Sequence, residues 1–397
     1  MVYPKLFRPL VVVSSLAPLS IAASYPEVSG DQCNCYLTNG TNGQYFTTHK
    51  FFDFRDKIDY AGDPDIIDNA ANTSEATATS DYFLSSEWTD SWATQNWNNS
   101  AALTSNKTDA VTLMIHSPNN LYLERNQDQD ADSNTFLTLR TARLKDFQST
   151  CEFESAAHNY HYLSARMYAR TIGAPGAVTA MFTYRDSSGE GDRSAVEESD
   201  LEIRTVDPTD RIQYTNQPSS TEVGNNVQES TRNVTIPNKR DWTNWAVYRL
   251  DWSSNATTWY INGDQVASIT YRTPHDPSMI IFNAWSNGGS WTGNMSVGAA
   301  AYLQIQWIEL VYNSTGDPSS GESKEKRGLT ELPGNPKSLF GKRDDGGCTN
   351  VCSIDETDKL GTPVLLPSSA PGMFGQVGGF WGVFFWTTLF SSAWALL

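Results

Sequence analysis

Hydrophobic and polar residues alternate along many short segments of this chain, which is the pattern of β-strands that bury one face. No long stretch combines helical periodicity with helix caps. One hairpin is especially clear, because Asn262-Gly263 tolerates the positive φ of a tight turn. The pattern predicts strands over residues 160–169, 178–184, 198–205, 244–252, 257–261, 265–270, 279–285 and 301–312.

Many short strands joined by turns favour two packed sheets over any helical architecture. We therefore predict an all-β fold, a sandwich of two antiparallel sheets, over residues 30–315. Residues 316–347 are rich in Gly, Pro, Ser and charge and contain few apolar residues. This composition is typical of a flexible linker, and we predict a flexible linker and tail over residues 316–370.

Both ends of the chain have sequence patterns that are typical of sorting signals. Lys5 and Arg8 precede an apolar stretch, and small residues follow it, so we predict a secretory signal peptide over residues 1–23. At the other end, residues 380–397 contain no charged side chain. Because small residues and a short spacer precede this apolar run, we predict a glycosylphosphatidylinositol (GPI) anchor signal over residues 371–397. A tail-anchored membrane span, or neither, are the alternatives.

The composition agrees with a secreted protein at the cell surface or in the cell wall. The chain has 397 residues and a net charge of −17, which argues against binding to nucleic acid. We expect a monomer whose only membrane contact is its lipid anchor. Asn-x-Ser/Thr sequons, the acceptors of N-linked glycans, begin at Asn39, Asn72, Asn98, Asn106, Asn233, Asn255, Asn294 and Asn313.

Five cysteines in an oxidising compartment leave one without a partner in the same chain. Cys33, Cys35 and Cys151 fall in the predicted domain, and Cys348 and Cys352 fall in the tail. A bridge from Cys151 to another domain cysteine is one possibility, but the pairing cannot be read from the sequence.

The predicted linker contains dibasic pairs at residues 326–327 and 342–343. Secretory-pathway endoproteases prefer such pairs in flexible sequence, and the alternative is an ordinary charged linker. A cut there would free the domain from its anchor unless a disulfide bond joins the two parts.

Three carboxylates alternate over five residues in Glu198-Ser199-Asp200-Leu201-Glu202. On a strand they share one face, while Ser199 and Leu201 point into the core. Cleavage of a glycosidic bond needs two carboxyl groups, one as the acid and one as the nucleophile or base. This face therefore has the residue types of a glycosidase site.

A second alternating triplet, Asp128, Asp130 and Asp132, lies among polar residues without apolar neighbours. It resembles the start of a calcium loop, but Ser133 replaces the required Gly and Leu139 replaces the required Glu. We predict a solvated turn at this triplet, and we predict no metal and no cofactor for the protein.

An ordered set of motifs over about residues 160–312 resembles glycoside hydrolase family 16, the β-glucanase-like enzymes on a concanavalin A-like jelly roll. The signature of that family's catalytic strand is E-x-D-x-E, which corresponds here to residues 198–202. The resemblance implies a concave substrate cleft on one sheet. The other matching segments are residues 164–167, 175–176, 180–182, 245–252, 259–263 and 277–291.

The resemblance also implies a retaining mechanism with a role for each carboxylate. Glu198 would attack the anomeric carbon as the nucleophile, Glu202 would act first as the acid and then as the base, and Asp200 would tune both. Two like charges this close do not both ionise easily, so one keeps a proton near neutral pH. Trp285 and Trp291 are the predicted sugar-stacking residues.

Two residues on this strand depart from the family's pattern. Ser199 takes a core-facing position that is usually apolar, so it needs a buried hydrogen-bond partner. Arg204 falls on the catalytic face, where a cation would lower the pKa of Glu202 unless Arg204 lies past the end of the cleft.

We therefore predict a retaining glycoside hydrolase or transglycosylase that acts on a β-linked cell-wall polysaccharide such as β-glucan. The anchor pattern suggests the wall of a fungal cell. One alternative is a non-catalytic, lectin-like carbohydrate-binding protein, which would have no need for all three carboxylates. A structural wall mannoprotein is a further alternative. Hydrolysis and transglycosylation differ only in whether water or a sugar hydroxyl enters in the second step.

Overall fold

A computed structural model describes residues 25–41, 43–104, 108–186, 196–221, 224–316 and 348–367. The predicted signal peptide, the predicted anchor signal, the sequon at Asn106 and both dibasic pairs lie outside these residues. The described strands are β1 Cys35–Leu37, β2 Tyr45–Phe46, β3 Thr48–Asp53, β4 Trp92–Thr94, β5 Leu113–His116, β6 Leu121–Arg125, β7 Thr135–Arg143, β8 Phe147–Ser155, β9 Tyr160–Gly173, β10 Val178–Arg185, β11 Glu197–Arg204, β12 Arg211–Gln217, β13 Thr231–Thr235, β14 Ala246–Trp252, β15 Thr257–Ile261, β16 Asp264–Ile269, β17 Met279–Trp285, β18 Ala300–Ser314, β19 Val351–Ser353 and β20 Val364–Leu365.

The helices in the described ranges are short. They are α1 Ala70–Ser74, α2 Ser86–Thr89 and α3 Ser100–Leu103, together with 3₁₀ turns at Gly30–Gln32, Ile58–Tyr60, Asp81–Leu84, Pro118–Asn120, Gln228–Ser230 and Pro237–Lys239. None of them has the length and apolar character that crossing a membrane requires. The prediction of an all-β fold is confirmed.

The strands form two layers that are continuous through β8. The first layer has the order β13-β12-β11-β10-β17-β8, and the second continues as β7-β18-β9-β14-β15-β16. Strand β3 pairs with β18, β4 and β5 pair with β8, and β6 pairs with β7. The described pairs are antiparallel except for β5 with β8 and β1 with β19. The predicted sandwich is therefore confirmed, with two parallel pairs added.

Each strand predicted from the hydrophobic pattern is present. The predicted and observed bounds differ most for β9, which extends to Gly173 instead of ending at residue 169. The predicted hairpin is formed by β15 and β16, and both turn residues have positive φ, 49° at Asn262 and 87° at Gly263. Local sequence pattern therefore determined the strands of this part of the chain.

The core lies between the two layers, and Ser199 on β11 bonds across it. Leu201 and Ile203 of the same strand are fully buried in this core. The hydroxyl of Ser199 donates to Asn216 Oδ1 at 2.7 Å and lies 2.9 Å from the hydroxyl of Thr257, which belongs to β15 in the second layer. The predicted need for a buried hydrogen-bond partner is confirmed.

The prediction of a flexible tail is wrong for residues 348–367, which form part of the folded structure. Strand β19 pairs in parallel with β1, and β20 pairs with β19 in a four-stranded sheet. Disulfide bonds join Cys33 to Cys352 and Cys35 to Cys348. A cut at either dibasic pair would therefore leave the two parts covalently joined.

Cys151 forms no disulfide bond, so the suggested bridge from Cys151 to an N-terminal cysteine is wrong. Its side chain is fully buried within β8, whereas the four bonded cysteines lie around the small sheet formed by the two ends of the described chain. Burial raises the pKa of the Cys151 thiol well above its usual range, which keeps it protonated.

Asp355 fixes the C-terminal segment to the second layer by buried ion pairs. Its carboxylate lies 2.8 Å from Arg166 Nη2 of β9 and 3.4 Å from Arg249 Nη1 of β14, and the paired side chains are all less than a tenth exposed. The same carboxylate accepts a hydrogen bond from the backbone N–H of Asn39 at 2.7 Å. Because buried ion pairs join Asp355 to arginines on two strands of the second layer, the segment and that layer stabilise each other.

The second acidic triplet lies in the connection between β6 and β7, as predicted, but its side chains are not all solvated. Asp128 accepts hydrogen bonds from Arg170 and from Trp245 Nε1, and Asp132 accepts one from Gln306 Nε2 at 2.7 Å. Within the described ranges, no group of three or more His, Cys, Asp or Glu side chains is placed to hold a metal ion.

Candidate active site

Strand β11 presents the three predicted carboxylates on one face, away from the core. Each is opposite a residue of β10 and a residue of β12: Glu198 lies between Tyr184 and Gln217, Asp200 between Phe182 and Thr215, and Glu202 between Ala180 and Gln213. Asp200 is fully buried, and the two glutamates are half-buried.

A cavity of about 210 Å³ opens over this face of β11. It brings β11 together with β10, β17 and β8 and with segments from the N-terminal third of the chain. Among the predicted site residues, it contains all three carboxylates and Trp285. The lining residues are Trp97, Met114, His116, Glu152, Ala180, Phe182, Glu198, Asp200, Glu202, Asn283 and Trp285.

A polar row crosses the floor of the cavity perpendicular to the strands. Glu202 is paired with Ala180, Ala180 with Asn283, and Asn283 with Glu152, on four successive strands. Paired residues in antiparallel strands point to the same face, so these side chains line one track. The small side chain of Ala180 leaves room between Glu202 and Asn283. This geometry suits an extended polymer that lies across the strands.

Burial shifts the protonation of all three carboxyl groups in the same direction. Loss of solvent raises the pKa of Glu198 to about 7, and the nearby charge of Glu152 adds to this shift. Loss of solvent and the charge of Glu198 raise the pKa of Glu202 to about 8, although Arg204 opposes the shift. One group can therefore be ionised while the other keeps its proton near neutral pH.

Asp200 lies between the two glutamates, and its surroundings favour the protonated form. Burial, together with the charges of Glu198 and Glu202, raises its pKa well above the usual range. The hydrogen bond between Asp200 and Glu198 stabilises the ionised form of Glu198, and Gln217 Nε2 donates to Asp200 Oδ2 at 3.1 Å. Gln213 Nε2 makes a longer contact of 3.4 Å with Glu202 Oε2.

Trp285 and Trp291 lie together at one side of the cavity, but only Trp285 lines it. Their rings are stacked, with centroids 6.0 Å apart and planes 24° apart. The guanidinium of Arg204 lies 5.1 Å from the centre of the Trp291 ring, and Arg204 Nη2 is 3.5 Å from Asp207. Arg204 is therefore held by Trp291 and Asp207, and it is close enough to Glu202 to act on its pKa.

Three residues that the sequence pattern did not predict also line the cavity: Trp97, His116 and Glu152. Glu152 is a fourth carboxyl group in the cavity and is itself buried, and this burial raises its pKa. Its neighbours in the sequence alternate in the ordinary way of a strand, so only the pairing of β8 with β17 reveals that it faces the site. Trp97 and His116 lie in segments that match no motif used above, and no local signal could have identified them.

Two half-buried glutamates that share one open cavity are the groups that carbohydrate-cleaving enzymes with a pair of carboxyl groups require. The family model for glycosyl hydrolases family 16 matches residues 89–309, which is more than half of the chain. This protein belongs to glycosyl hydrolases family 16, as the resemblance predicted.

Individual relatives match shorter parts of the chain. A β-glucanase of Brevibacillus brevis is 29% identical over 143 residues, which are 34% of this chain and 49% of that protein. A xylanase/β-glucanase of Ruminococcus flavefaciens is 25% identical over 169 residues, 41% of this chain and 19% of the other. The chain thus spans half or less of each curated relative. A crystal structure of a prokaryotic β-1,3-1,4-glucanase (lichenase) from a mouse hindgut metagenome is 16% identical, with a TM-score of 0.44, over 68% of this chain and all of that one.

Proposed function

We propose that this protein is a retaining glycoside hydrolase or transglycosylase that acts on β-glucan in the cell wall. The observation that carries the proposal is the presence of Glu198 and Glu202 in one cavity, on either side of Asp200, with the pKa of Glu198 raised to about 7 and that of Glu202 to about 8. The two curated relatives, a β-glucanase and a xylanase/β-glucanase, support this class of substrate.

The proposed reaction uses each carboxyl group in turn. The ionised Glu198 attacks the anomeric carbon while Glu202 gives its proton to the glycosidic oxygen, so the C–O bond breaks and a glycosyl ester forms on Glu198. Water or a sugar hydroxyl then enters, loses its proton to Glu202 and releases Glu198. The hydrogen bond from Asp200 stabilises the charge on Glu198 before the attack and after the ester is cleaved.

The test is incubation of the protein with laminarin-type, mixed-linkage and β-1,4-linked glucans, with proton NMR of the first products and a labelled oligosaccharide acceptor. We expect cleavage of at least one glucan, and a first product with the same anomeric configuration as the bond that was cut. Incorporation of the labelled acceptor would indicate transglycosylation. An inverted first product would contradict the retaining mechanism, and binding without product from any glucan would favour a lectin-like protein.

Arg204 is expected to set the alkaline limit of activity. Glu202 must be protonated to act as the acid, so activity falls as the pH rises through its pKa of about 8, whereas Glu198 must be ionised, so activity falls as the pH drops below about 7. Because Arg204 lowers the pKa of Glu202, Arg204→Leu should move the alkaline limb of the kcat/KM profile to higher pH.

The matched control for this prediction is Arg204→Lys, which keeps the positive charge and should give a smaller displacement of the alkaline limb. The acidic limb, which reports Glu198, should move less than the alkaline limb in both variants. An alkaline limb that stays in place in Arg204→Leu would show that Arg204 acts only through its contact with Trp291.

We also propose that the protein is secreted, carried by a GPI anchor and active at a fungal cell wall. The two disulfide bonds support an oxidising compartment. The end patterns of the sequence support the anchor. Release of the protein from intact cells by a phosphatidylinositol-specific phospholipase would be the expected result, and retention after that treatment would argue for one of the alternatives.

A further inference from the structure

Trp97 is a large, exposed aromatic side chain at the edge of the cavity. It is 44% exposed, although it lines the same cavity as the carboxylates. It lies between β4 and α3, close to the end of β8 that carries Glu152. An exposed tryptophan at such a position needs a reason, because most large aromatic side chains of this protein are buried in its core.

The Trp97 indole is held in place from two sides. One face lies on the ring of His116, with centroids 4.3 Å apart, and the indole N–H donates to Glu152 Oε1 at 2.9 Å. The backbone carbonyl of Trp97 also accepts the N–H of His116 at 2.9 Å. His116 is fully buried, and burial lowers its pKa to about 3, so it supports the indole as a neutral ring. The part of the indole that His116 does not cover remains exposed at the edge of the cavity.

The neighbouring Asn283 shows that this end of the cavity suits a polar ligand. Its amide N–H donates to Glu152 Oε2 at 3.2 Å, but its Oδ1 has no hydrogen-bond partner among the described residues, although the side chain is only 6% exposed. A buried acceptor without a donor costs free energy, and a hydroxyl group in the cavity would satisfy it.

Trp97 lies beside Glu152, at the opposite end of the polar row from Glu202. Glu202 on β11 and Glu152 on β8 are separated by three strand spacings, which is about 14 Å. A sugar ring on Trp97 therefore belongs to a more distant part of a substrate that lies along the polar row.

We propose that Trp97 is the stacking platform of a distal sugar-binding subsite, which holds one pyranose ring of the glucan chain against the exposed part of the indole. This inference rests on the proposed function, since it concerns the same cavity and the same class of substrate. The rigid mounting of the indole on His116 and Glu152 means that little side-chain entropy is lost when the sugar binds. The subsite favours long oligosaccharides over short ones.

The test is the affinity of β-gluco-oligosaccharides of increasing length for protein inactivated by Glu198→Gln, measured by isothermal titration calorimetry. The protein is first freed of N-glycans, because the Asn98 sequon adjoins Trp97. Trp97→Ala should weaken the binding of the longest oligosaccharides about tenfold and remove the gain in affinity with length. Trp97→Phe keeps a ring but loses the N–H donor, so its affinity for the longest oligosaccharides should lie between those of the parent and Trp97→Ala.

Tyr60→Ala is the matched control, since Tyr60 is an aromatic residue of similar exposure, 42%, that does not line the cavity. It should leave the dependence of affinity on length unchanged. In otherwise active protein, Trp97→Ala should raise KM for polysaccharide more than it lowers kcat. If the parent protein turns over glucan but the affinity of Trp97→Ala depends on oligosaccharide length as in the parent, only the proposed subsite is overturned. A parent protein that neither binds nor cleaves any glucan would overturn the proposed function as well.

Discussion

Replacement of Glu198 by Gln should reduce glucan turnover by roughly 10⁴-fold or more, because an amide cannot attack the anomeric carbon and no glycosyl ester can form. The substitution is nearly isosteric, and Glu198 sits in a cavity that raises its pKa to about 7. Removing a charge that is costly to bury should leave the folded state as stable as before, or more so. The measurements are initial rates and thermal unfolding of the same samples.

Glu202→Gln should also abolish cleavage of polysaccharide, but for a different reason. The amide cannot protonate the leaving oxygen, so the loss should be much smaller for an aryl glycoside whose phenol leaves without a proton. Glu198→Gln should lose activity on both kinds of substrate alike. This difference separates the nucleophile from the acid, and the reverse pattern would exchange the two roles.

The matched control for these variants is Glu197→Gln. Glu197 is the adjacent carboxylate on β11, but it accepts hydrogen bonds from the backbone N–H groups of His275 and Asp276 and does not line the cavity. Its replacement should keep activity within a few-fold of the parent. Full activity in Glu198→Gln or in Glu202→Gln would show that the acidic face of β11 is not the catalytic site.

The largest expected loss of stability comes from Asp355→Ala in the C-terminal segment. This change leaves Arg166 and Arg249 buried with one carboxylate fewer, and breaking a buried ion pair by removing one partner costs about 3–5 kcal/mol. Arg249 keeps a second partner, since its Nε lies 2.7 Å from Asp251, so most of the cost should fall on Arg166. Denaturant unfolding with an unchanged m value would measure the difference.

Asp358→Ala is the control for Asp355→Ala, because Asp358 lies in the same segment and is exposed. Its effect on the free energy of unfolding should be within about 0.5 kcal/mol. If Asp355→Ala unfolds like the parent protein, the buried ion pairs of Asp355 add nothing measurable to stability, and strand pairing and the disulfide bonds hold the segment at residues 348–367.

Strand β11 and its acidic face could be predicted because they depend only on local sequence. From Glu198 to Ile203, carboxylates on one face of β11 alternate with core-facing residues on the other. Such an alternation of period two is the signature of a strand with one buried face. The need of Ser199 for a partner also followed from the sequence, because a hydroxyl on the core face cannot remain unpaired. The identity of that partner, Thr257 in the other layer, did not.

The rest of the site was beyond the reach of the sequence pattern. Glu152 faces the cavity only because β8 pairs with β17 in one particular register, and a shift of one residue would turn it into the opposite layer. Trp97 owes its position to contacts with His116 and Glu152, which are 19 and 55 residues away. Contacts over such separations leave no periodic trace in the sequence.

The sequence by itself determined the strands, the turn at Asn262-Gly263 and the acidic face of β11, because each depends on neighbouring residues and on the period of the backbone. Only the tertiary structure decided which strands meet, which cysteines pair and which side chains surround the carboxylates. The C-terminal segment shows the difference most clearly. The composition of the residues just before it predicts a flexible tail. Within the segment, however, Asp355 pairs with two buried arginines, and two cysteines form disulfide bonds with cysteines more than 300 residues away. Such partners are selected by the packing of the whole fold and not by the residues beside them.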